Sequence, residues 1–360
     1  MRAAHAPITE ALHAVRLESL GTDVAFACEA VRDATHFMRT AERDAAGYTL
    51  TKADTSPVTA ADFVVQALVA SRLARHFPDD PLVAEEDASA LRADTASAIC
   101  ERVVGLVGQM LPGLEVEREQ VLAWIDRGSG ACDRRFWTLD PIDGTKGLLR
   151  GGQYVIALAL VIDGRVQIGI LGCPRLSVTP PPASPADSPE HAVVAAVEND
   201  AEGGVAIAVR GRGAWWMSLH GSHLTRLSAS TESNPARTRA LHSCESRHSD
   251  LEQLHRILRE LHSPASPVLM DGQAKQVLLA AGAAELLMRI PIDRTYREAI
   301  WDQAAGSLLV EEAGGRVTDL DGLPLDFTTG RQLLRNTGLI ASNGLLHGAV
   351  LNVARQRSIR

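Results

Sequence analysis

The chain is 360 residues long, 46% hydrophobic and 22% charged, which suits a globular protein with one large core or two moderate ones. Its formal net charge of −8 argues against a nucleic acid polymer or a membrane surface as partner, but not against a small anionic substrate, because bound divalent metals invert local charge. The scattered cysteines (Cys28, Cys100, Cys132, Cys173, Cys244) predict reduced thiols, the longest apolar run, Tyr154–Ile162, is too short to span a bilayer, and no signal-type apolar core opens the chain, so a cytoplasmic protein is expected.

Helical apolar spacing runs from about Ile8 to Arg39 (Leu12, Val15, Leu17, Leu20, Val24, Phe26, Val31, Phe37), with a break near Gly21. Ala45–Pro57 reads as a polar loop. Thr59-Ala-Ala-Asp62 then opens a second helix that buries Phe63, Val64, Ala67, Leu68 and Phe77. Pro81–Ala84 is a short strand ending in Glu85-Glu86-Asp87, and residues 88–134 form a helical excursion with a Gly-rich exit at Gly128-Ser-Gly130. Phe136, Trp137 and Leu139 lead into Asp140-Pro-Ile-Asp143. Gln153–Val161 and Arg165–Gly172 are strands joined by Asp163-Gly164, a strong hairpin signal. Leu176–His191, rich in Pro, Ser and Ala, is an exposed loop and marks a boundary between two halves, 1–195 and 196–360.

In the second half, strands are expected at Val205–Val209, Ala214–Ser218, Glu285–Ile290 and Leu339–Ala341. Helices are expected at Asp250–Leu261, Ala274–Ala281 and Asp302–Ala313, the last stopped by Gly314-Gly315, and Asn343 caps a final helix. Strands and helices alternating in both halves indicate an α/β or α+β layered fold.

Four acidic stations sit at element edges: Asp62, Glu85-Glu86, Asp140 with Asp143, and Asp302. Singly, each has a plain structural account. Asp62 completes a capping box with Thr59, Asp302 is a helix-start acid, and the glutamates are loop charges. Jointly they are what a multi-metal phosphoryl site requires. Carboxylates are hard ligands suited to Mg²⁺, and two or three ions need several of them. Gly144 lets the backbone approach a phosphate closely.

Asp140-Pro-Ile-Asp-Gly-Thr145, preceded by Val83-Ala-Glu-Glu86 and followed by Trp301-Asp302-x-Ala-Ala-Gly306, resembles the lithium-sensitive, magnesium-dependent phosphatase superfamily of inositol monophosphatases, fructose bisphosphatases and bisphosphate nucleotidases. The finer resemblance is to the 3′(2′),5′-bisphosphate nucleotidases. It is carried by Ser56-Pro-Val-Thr59 with Asp62, the run Asp140–Gly152, Asp271-Gly-Gln-Ala-Lys275 and Tyr296–Asp302, and it extends from roughly residue 10 to residue 352. It implies a layered α-β-α-β-α sandwich and two or three Mg²⁺ ions held by Glu85, Asp140, the carbonyl of Ile142, Asp143 and Asp302. It also implies a water-activating pair, Asp62 and Thr145, and substrate contacts from Gly144, Thr145, His248, Gly272, Lys275, Arg289, Tyr296 and Asp302. The implied reaction removes the 3′-phosphate of 3′-phosphoadenosine 5′-phosphate, with the 5′-phosphosulfate as a second substrate, in clearance of a sulfotransfer by-product. A monomer or weak homo-oligomer is expected. The chain departs from the family's pattern at Gly272-Gln273, where a Ser is usual, and at Gln303, where a His is usual. The rival readings are an inositol polyphosphate 1-phosphatase or monophosphatase with the same metals, and a non-catalytic nucleotide-binding sensor.

Overall fold

The computed structural model describes residues 17–51, 57–93, 96–178, 202–245, 249–263 and 266–358. The start of the first predicted helix, Ser56, His248 and all but the first three residues of the predicted loop 176–191 lie outside the described residues.

Helix α1 spans Thr22–Ala46 and begins directly after Gly21, whose φ of 114° makes the predicted break. A small antiparallel pair, β1 (Thr49–Thr51) and β2 (Pro57–Thr59), occupies part of the stretch read as loop. Helix α2 (Ala60–His76) carries the complete capping box: Thr59 accepts from Ala61 N, and Asp62 accepts from Thr59 N. Strand β3 (Leu82–Ala84) is followed by the helical excursion α3 (Ser97–Met110) and α4 (Arg118–Asp126). Strand β4 (Arg135–Asp143) runs into the short helix α5 (Thr145–Leu149). Strands β5 (Val155–Ile162) and β6 (Arg165–Cys173) form the predicted hairpin, with Asp163 and Gly164 at φ 50° and 70°. Strands β7 (Gly204–Val209), β8 (Gly213–Ser218) and β9 (Thr225–Arg226) complete a seven-stranded sheet in the order β3 to β9.

The second sheet is built from β10 (Ala240–Ser243), β11 (Val268–Met270), β12 (Leu286–Arg289), β13 (Arg316–Thr318) and β14 (Leu339–Ser342), ordered β11-β10-β12-β14-β13. Its helices are α6 (Leu251–Glu260), α7 (Ala274–Ala280), α8 (Ala304–Glu312) and α9 (His347–Ser358). Sheet membership changes between Arg226 and Ala240, later in the chain than the expected division at 195/196. The β7–β8 hairpin continues the first sheet by pairing with β6.

Side-chain alternation along β5 shows how the layers stack. Ile156, Leu158 and Leu160 face a core shared with α1–α4, while Val155, Ala157, Ala159 and Val161 face a second core. That second core joins the first sheet to α7, α8 and the inner face of the second sheet (Leu241, Leu287, Leu339, Ala341). A third core packs the outer face (Ala240, Leu286, Met288, Ile340) on α6 and α9. The result is an α-β-α-β-α sandwich. Small residues let the middle helix layer come close: a Cβ on Gly169 of β6 would lie 2.7 Å from the carbonyl oxygen of Ala305 on α8.

Candidate active site

The site begins with an irregularity in β4. Residues three apart on a regular strand point to opposite faces. Here Asp140 pairs with Ala157 and Asp143 with Val155, so three steps on β4 oppose two on β5. This bulge, placed where Pro141 could donate no ladder hydrogen bond, brings both aspartates into step on the face of Ala157 and Val155. Glu85 is positioned by strand register: β3 runs parallel to β4 with Ala84 beside Leu139, and Glu85 N donates to Leu139 O at 3.2 Å. Gln66 of α2 clasps the next residue from both sides, donating to Glu86 O (2.5 Å) and accepting from Glu86 N (3.2 Å).

The second half reaches the site through Gln273, which is 1% exposed. Its backbone N–H donates to Asp143 Oδ2 at 2.7 Å, its side-chain amide donates to Trp301 O at 3.1 Å, and its Oε1 accepts from Gly306 N at 2.9 Å. One residue, through its backbone and its side chain, thus ties Asp143 to the segment carrying Asp302. Gly272 passes so near that a Cβ would sit 2.5 Å from the carbonyl oxygen of Asp143. Asp302 lies just ahead of α8, whose N-cap is Gln303 rather than Asp302 itself.

The carboxylates share one electrostatic field. Burial, followed by the charges of Glu85, Asp143, Asp302 and Asp62, holds Asp140 well above the usual carboxylate range. Burial also drives Asp302 up, with Asp143, Glu298 and Glu85 adding to it and Arg289 opposing it. Asp143 is raised by burial against the pull of Lys275, Gln273 and Arg289. Among the described residues no three acidic, His or Cys side chains close around a point tightly enough to cage an ion by themselves. Like charges repel, and Asp140 Oδ1 is engaged with Ile142 N at 3.0 Å. The chemistry of the set still fits a hard divalent cation: Asp140 and Asp302, raised by burial and by neighbouring carboxylates, need positive charge beside them. Glu85, Asp140, Asp143, Asp302 and the carbonyl of Ile142 are the oxygens that could hold such a cation.

Asp62 and Thr145 lie side by side. Thr145 Oγ1 lies 3.4 Å from Asp62 Oδ1 and 3.0 Å from Ile142 O, while Asp62 Oδ2 accepts from Thr59 N (2.8 Å) and Thr59 Oγ1 (2.7 Å). Gly144, left-handed at φ 98°, turns β4 into α5 and so presents Thr145.

Cations line the other side. Arg289, at the end of β12, stands 3.0 Å from the buried Glu298. Burial disfavours its charge, but Glu298, Tyr296, Asp302 and Asp143 outweigh that and hold the guanidinium above its usual range. Gln303 steadies Glu298 through a 3.1 Å hydrogen bond. Lys275 is 4% exposed, and its ammonium donates to Met270 O (2.9 Å) and Gly272 O (2.7 Å), inside the turn rather than out of it. Burial lowers its pKa to about 8, Arg289 adding to the effect and Asp143 and Asp271 opposing it. Tyr296 is 41% exposed and within electrostatic reach of Arg289 and Asp302. His248 falls outside the described residues.

Some structural partners went unnoticed in the sequence. Arg150 bridges Glu245 (2.6 Å) and Asp271 (2.8 Å), and Lys146 reaches Glu245 at 2.8 Å, fastening α5 to the ends of β10 and β11. Glu298 and Gln273 lie inside the motifs Tyr296–Asp302 and Asp271–Lys275, but the contact of Gln273 with Asp143 spans 130 residues of sequence.

The sequence matches the inositol monophosphatase family over residues 20–358. A 3′(2′),5′-bisphosphate nucleotidase of Schizosaccharomyces pombe is 41% identical over 313 residues, covering 84% of this chain and 84% of that one. Among solved structures, an IMPase of Thermotoga maritima superposes with a TM-score of 0.60 at 19% identity, covering 93% of this chain and 97% of that one. An IMPase/NADP phosphatase solved with Mg²⁺ and phosphate gives a TM-score of 0.59 at 18% identity, with coverages of 93% and 95%. Likeness at such low identity speaks for the shared sandwich, and the match along nearly the whole sequence does the rest: this chain belongs to the inositol monophosphatase family.

Proposed function

We propose that the protein is a Mg²⁺-dependent 3′(2′),5′-bisphosphate nucleotidase that hydrolyses 3′-phosphoadenosine 5′-phosphate to AMP and phosphate, with the 5′-phosphosulfate as a second substrate in sulfotransfer by-product clearance. The observation that carries this reading is the pairing of two poles: a carboxylate cluster around buried Asp140 on the β4 bulge, and the half-buried guanidinium of Arg289 beside it. A substrate with one reacting and one non-reacting phosphate matches both. The name of the fission yeast relative supports the same substrate class.

Mg²⁺, in two or three sites, would acidify a water and neutralise charge on the scissile phosphate. The chain's own residues do the rest. Thr145 Oγ, with its proton directed to Asp62, accepts a hydrogen bond from the attacking water and fixes its lone pair toward phosphorus. The water oxygen forms the new P–O bond as one of its protons passes through Thr145 Oγ to Asp62, the P–O3′ bond breaks, and the leaving 3′-oxygen takes up a proton from solvent water. Backbone amides of Gly144 and Thr145 hold the phosphate oxygens. Arg289 takes the distant phosphate, Lys275 adds fixed positive charge beneath the 270–273 turn, and Tyr296 and His248 flank the nucleoside. Activity belongs in the cytoplasm, in a monomer or weak homo-oligomer.

The test is phosphate release from 3′-phosphoadenosine 5′-phosphate, 3′-AMP and inositol phosphates, with and without Mg²⁺, in wild type and Arg289→Ala. Loss of one charge-assisted contact of about 1.5–3 kcal/mol should lower kcat/KM for the bisphosphate roughly ten- to hundredfold, mainly through KM. 3′-AMP should feel the change much less. Equal losses on both, or a preference for inositol phosphates, would move the assignment to a general or inositol phosphatase.

A further inference from the structure

Arg331 lies far in sequence from every residue named in the site, yet it touches both halves of it. The 331–333 segment is zipped to 298–300: Ile300 N donates to Arg331 O (3.0 Å), Leu333 N donates to Glu298 O (2.9 Å), and Ala299 bridges Gln332. This places the side chain against the next residue along, with its guanidinium 4.8 Å from the ring centroid of Trp301. Trp301 directly precedes Asp302. From that stacked position Arg331 reaches across to the first sheet. Its Nη1 donates to Gly128 O at 3.0 Å, and its Nη2 donates to Ala84 O, the last carbonyl of β3 before Glu85. Gly128 O also accepts from Ala84 N at 2.8 Å, so the fork grips a carbonyl pair that is already fixed.

A planar, forked cation suits this task, since it stacks on a ring by its face while two edges donate in set directions. The residues it joins, Ala84 and Trp301, directly precede two acids that no single element carries. Glu85 follows a strand of the first sheet, and Asp302 sits in the second half ahead of α8. They feel each other's charge, and repulsion tends to part them.

We propose that Arg331 is a positioning residue for the divalent metal: it sets the distance between Glu85 and Asp302 by clamping the Ala84 carbonyl to the Trp301 ring. The inference rests on the phosphatase reading for the identity of the ligands. It assigns Arg331 no contact with substrate.

The experiment titrates Mn²⁺, as an EPR-visible stand-in for Mg²⁺, into the full chain without substrate. Wild type, Arg331→Met and Arg331→Lys are compared, together with Ile257→Val, a core change in α6 that lowers stability far from the site. Arg331→Met should weaken Mn²⁺ binding about ten- to hundredfold, as loss of a residue supporting metal ligands does. Its KM for nucleotide at saturating metal should change less than about twofold, in line with an effect confined to metal affinity. Arg331→Lys keeps the cation over Trp301 but loses the fork, so it should fall between the two; it also serves if the Met variant folds poorly. Ile257→Val should bind Mn²⁺ as wild type does. Unchanged Mn²⁺ affinity in both Arg331 variants overturns the proposal and leaves the phosphatase reading standing. A loss equal to that of Ile257→Val also overturns it, because the effect would then be one of general stability. Failure of wild type itself to bind Mn²⁺ would overturn both.

Discussion

Asp62 shows how much one side chain is asked to do. Its Oδ2 closes the capping box at the start of α2, and its Oδ1 faces Thr145. The cap explains why the carboxylate is 1% exposed and still well placed: the helix start orients it before any substrate arrives. The single proton on Thr145 has two acceptors, Ile142 O at 3.0 Å and Asp62 at 3.4 Å. The threonine lone pairs are free in either case, but only donation to Asp62 leaves Ile142 O wholly free to act in the site. Thr145→Val keeps the shape and removes the hydroxyl, so kcat should fall by about 10²–10⁴, the range of a positioned proton-transfer group. Thr145→Ser should stay within a few-fold of wild type. Steady-state kinetics at saturating Mg²⁺, with circular dichroism to confirm the fold, checks both, and a Thr145→Val enzyme turning over at the wild-type rate would remove Thr145 from the mechanism.

At the scale of elements, much was legible because the signals were local. The Asp163-Gly164 turn, the Thr59 cap, the Gly21 break and the Gly314 stop all depend on near neighbours, and the structure places each where the pattern does. Strands β10, β11 and β13 are three or four residues long and, unlike the equally short β3, end in no run of acids that marks them, so they were not read from the sequence. The Asp140/Asp143 pair was visible, but not the bulge that aligns it, since a bulge exists only relative to β5. Gln273 and Arg331 act across chain separations that composition and spacing do not encode. Helix α9 offers a further case. Its first residue, His347, is buried between Ser342 (Nδ1 to Oγ, 2.8 Å) and Thr318 (Nε2 to Oγ1, 2.9 Å), pinning the helix to β13 and β14. Burial, with a smaller push from Arg316, lowers its pKa from 6.5 to about 4. The unfolded chain therefore binds the proton more readily than the native one. The stabilisation is fully present above about pH 6.5 and is lost as pH falls toward 4, amounting to roughly 2–4 kcal/mol. Urea midpoints measured from pH 7 to pH 4 should drop less steeply in His347→Gln than in wild type. Parallel curves would show that the imidazole does not titrate on unfolding in this range.

For the whole molecule, the decisive fact is that the acids come from both sheets' territories. Glu85, Asp140 and Asp143 belong to the first, and Asp302 follows the second sheet's β12 on the way into α8. The second core already joins the sheets through α7 and α8, and the acid cluster works against that joint because buried like charges repel. Divalent metal should therefore do more than enable chemistry: it should stabilise the joint between the sheets. At a concentration a hundred times its Kd, each site adds about 2.7 kcal/mol to the native state. For a chain of 360 residues that is roughly 3–4 °C in Tm, taking the usual unfolding entropy per residue. Calorimetry in Mg²⁺ against EDTA should show this rise in a single transition, because the ligands couple both halves. Asp302→Asn should lose most of the rise. Without metal, its Tm should match or exceed that of wild type, since one of the mutually repelling charges is gone. Were Mg²⁺ to stabilise Asp302→Asn as strongly as wild type, the cation would be sitting elsewhere, on acids of one half alone, and the two-sided site would have to be given up.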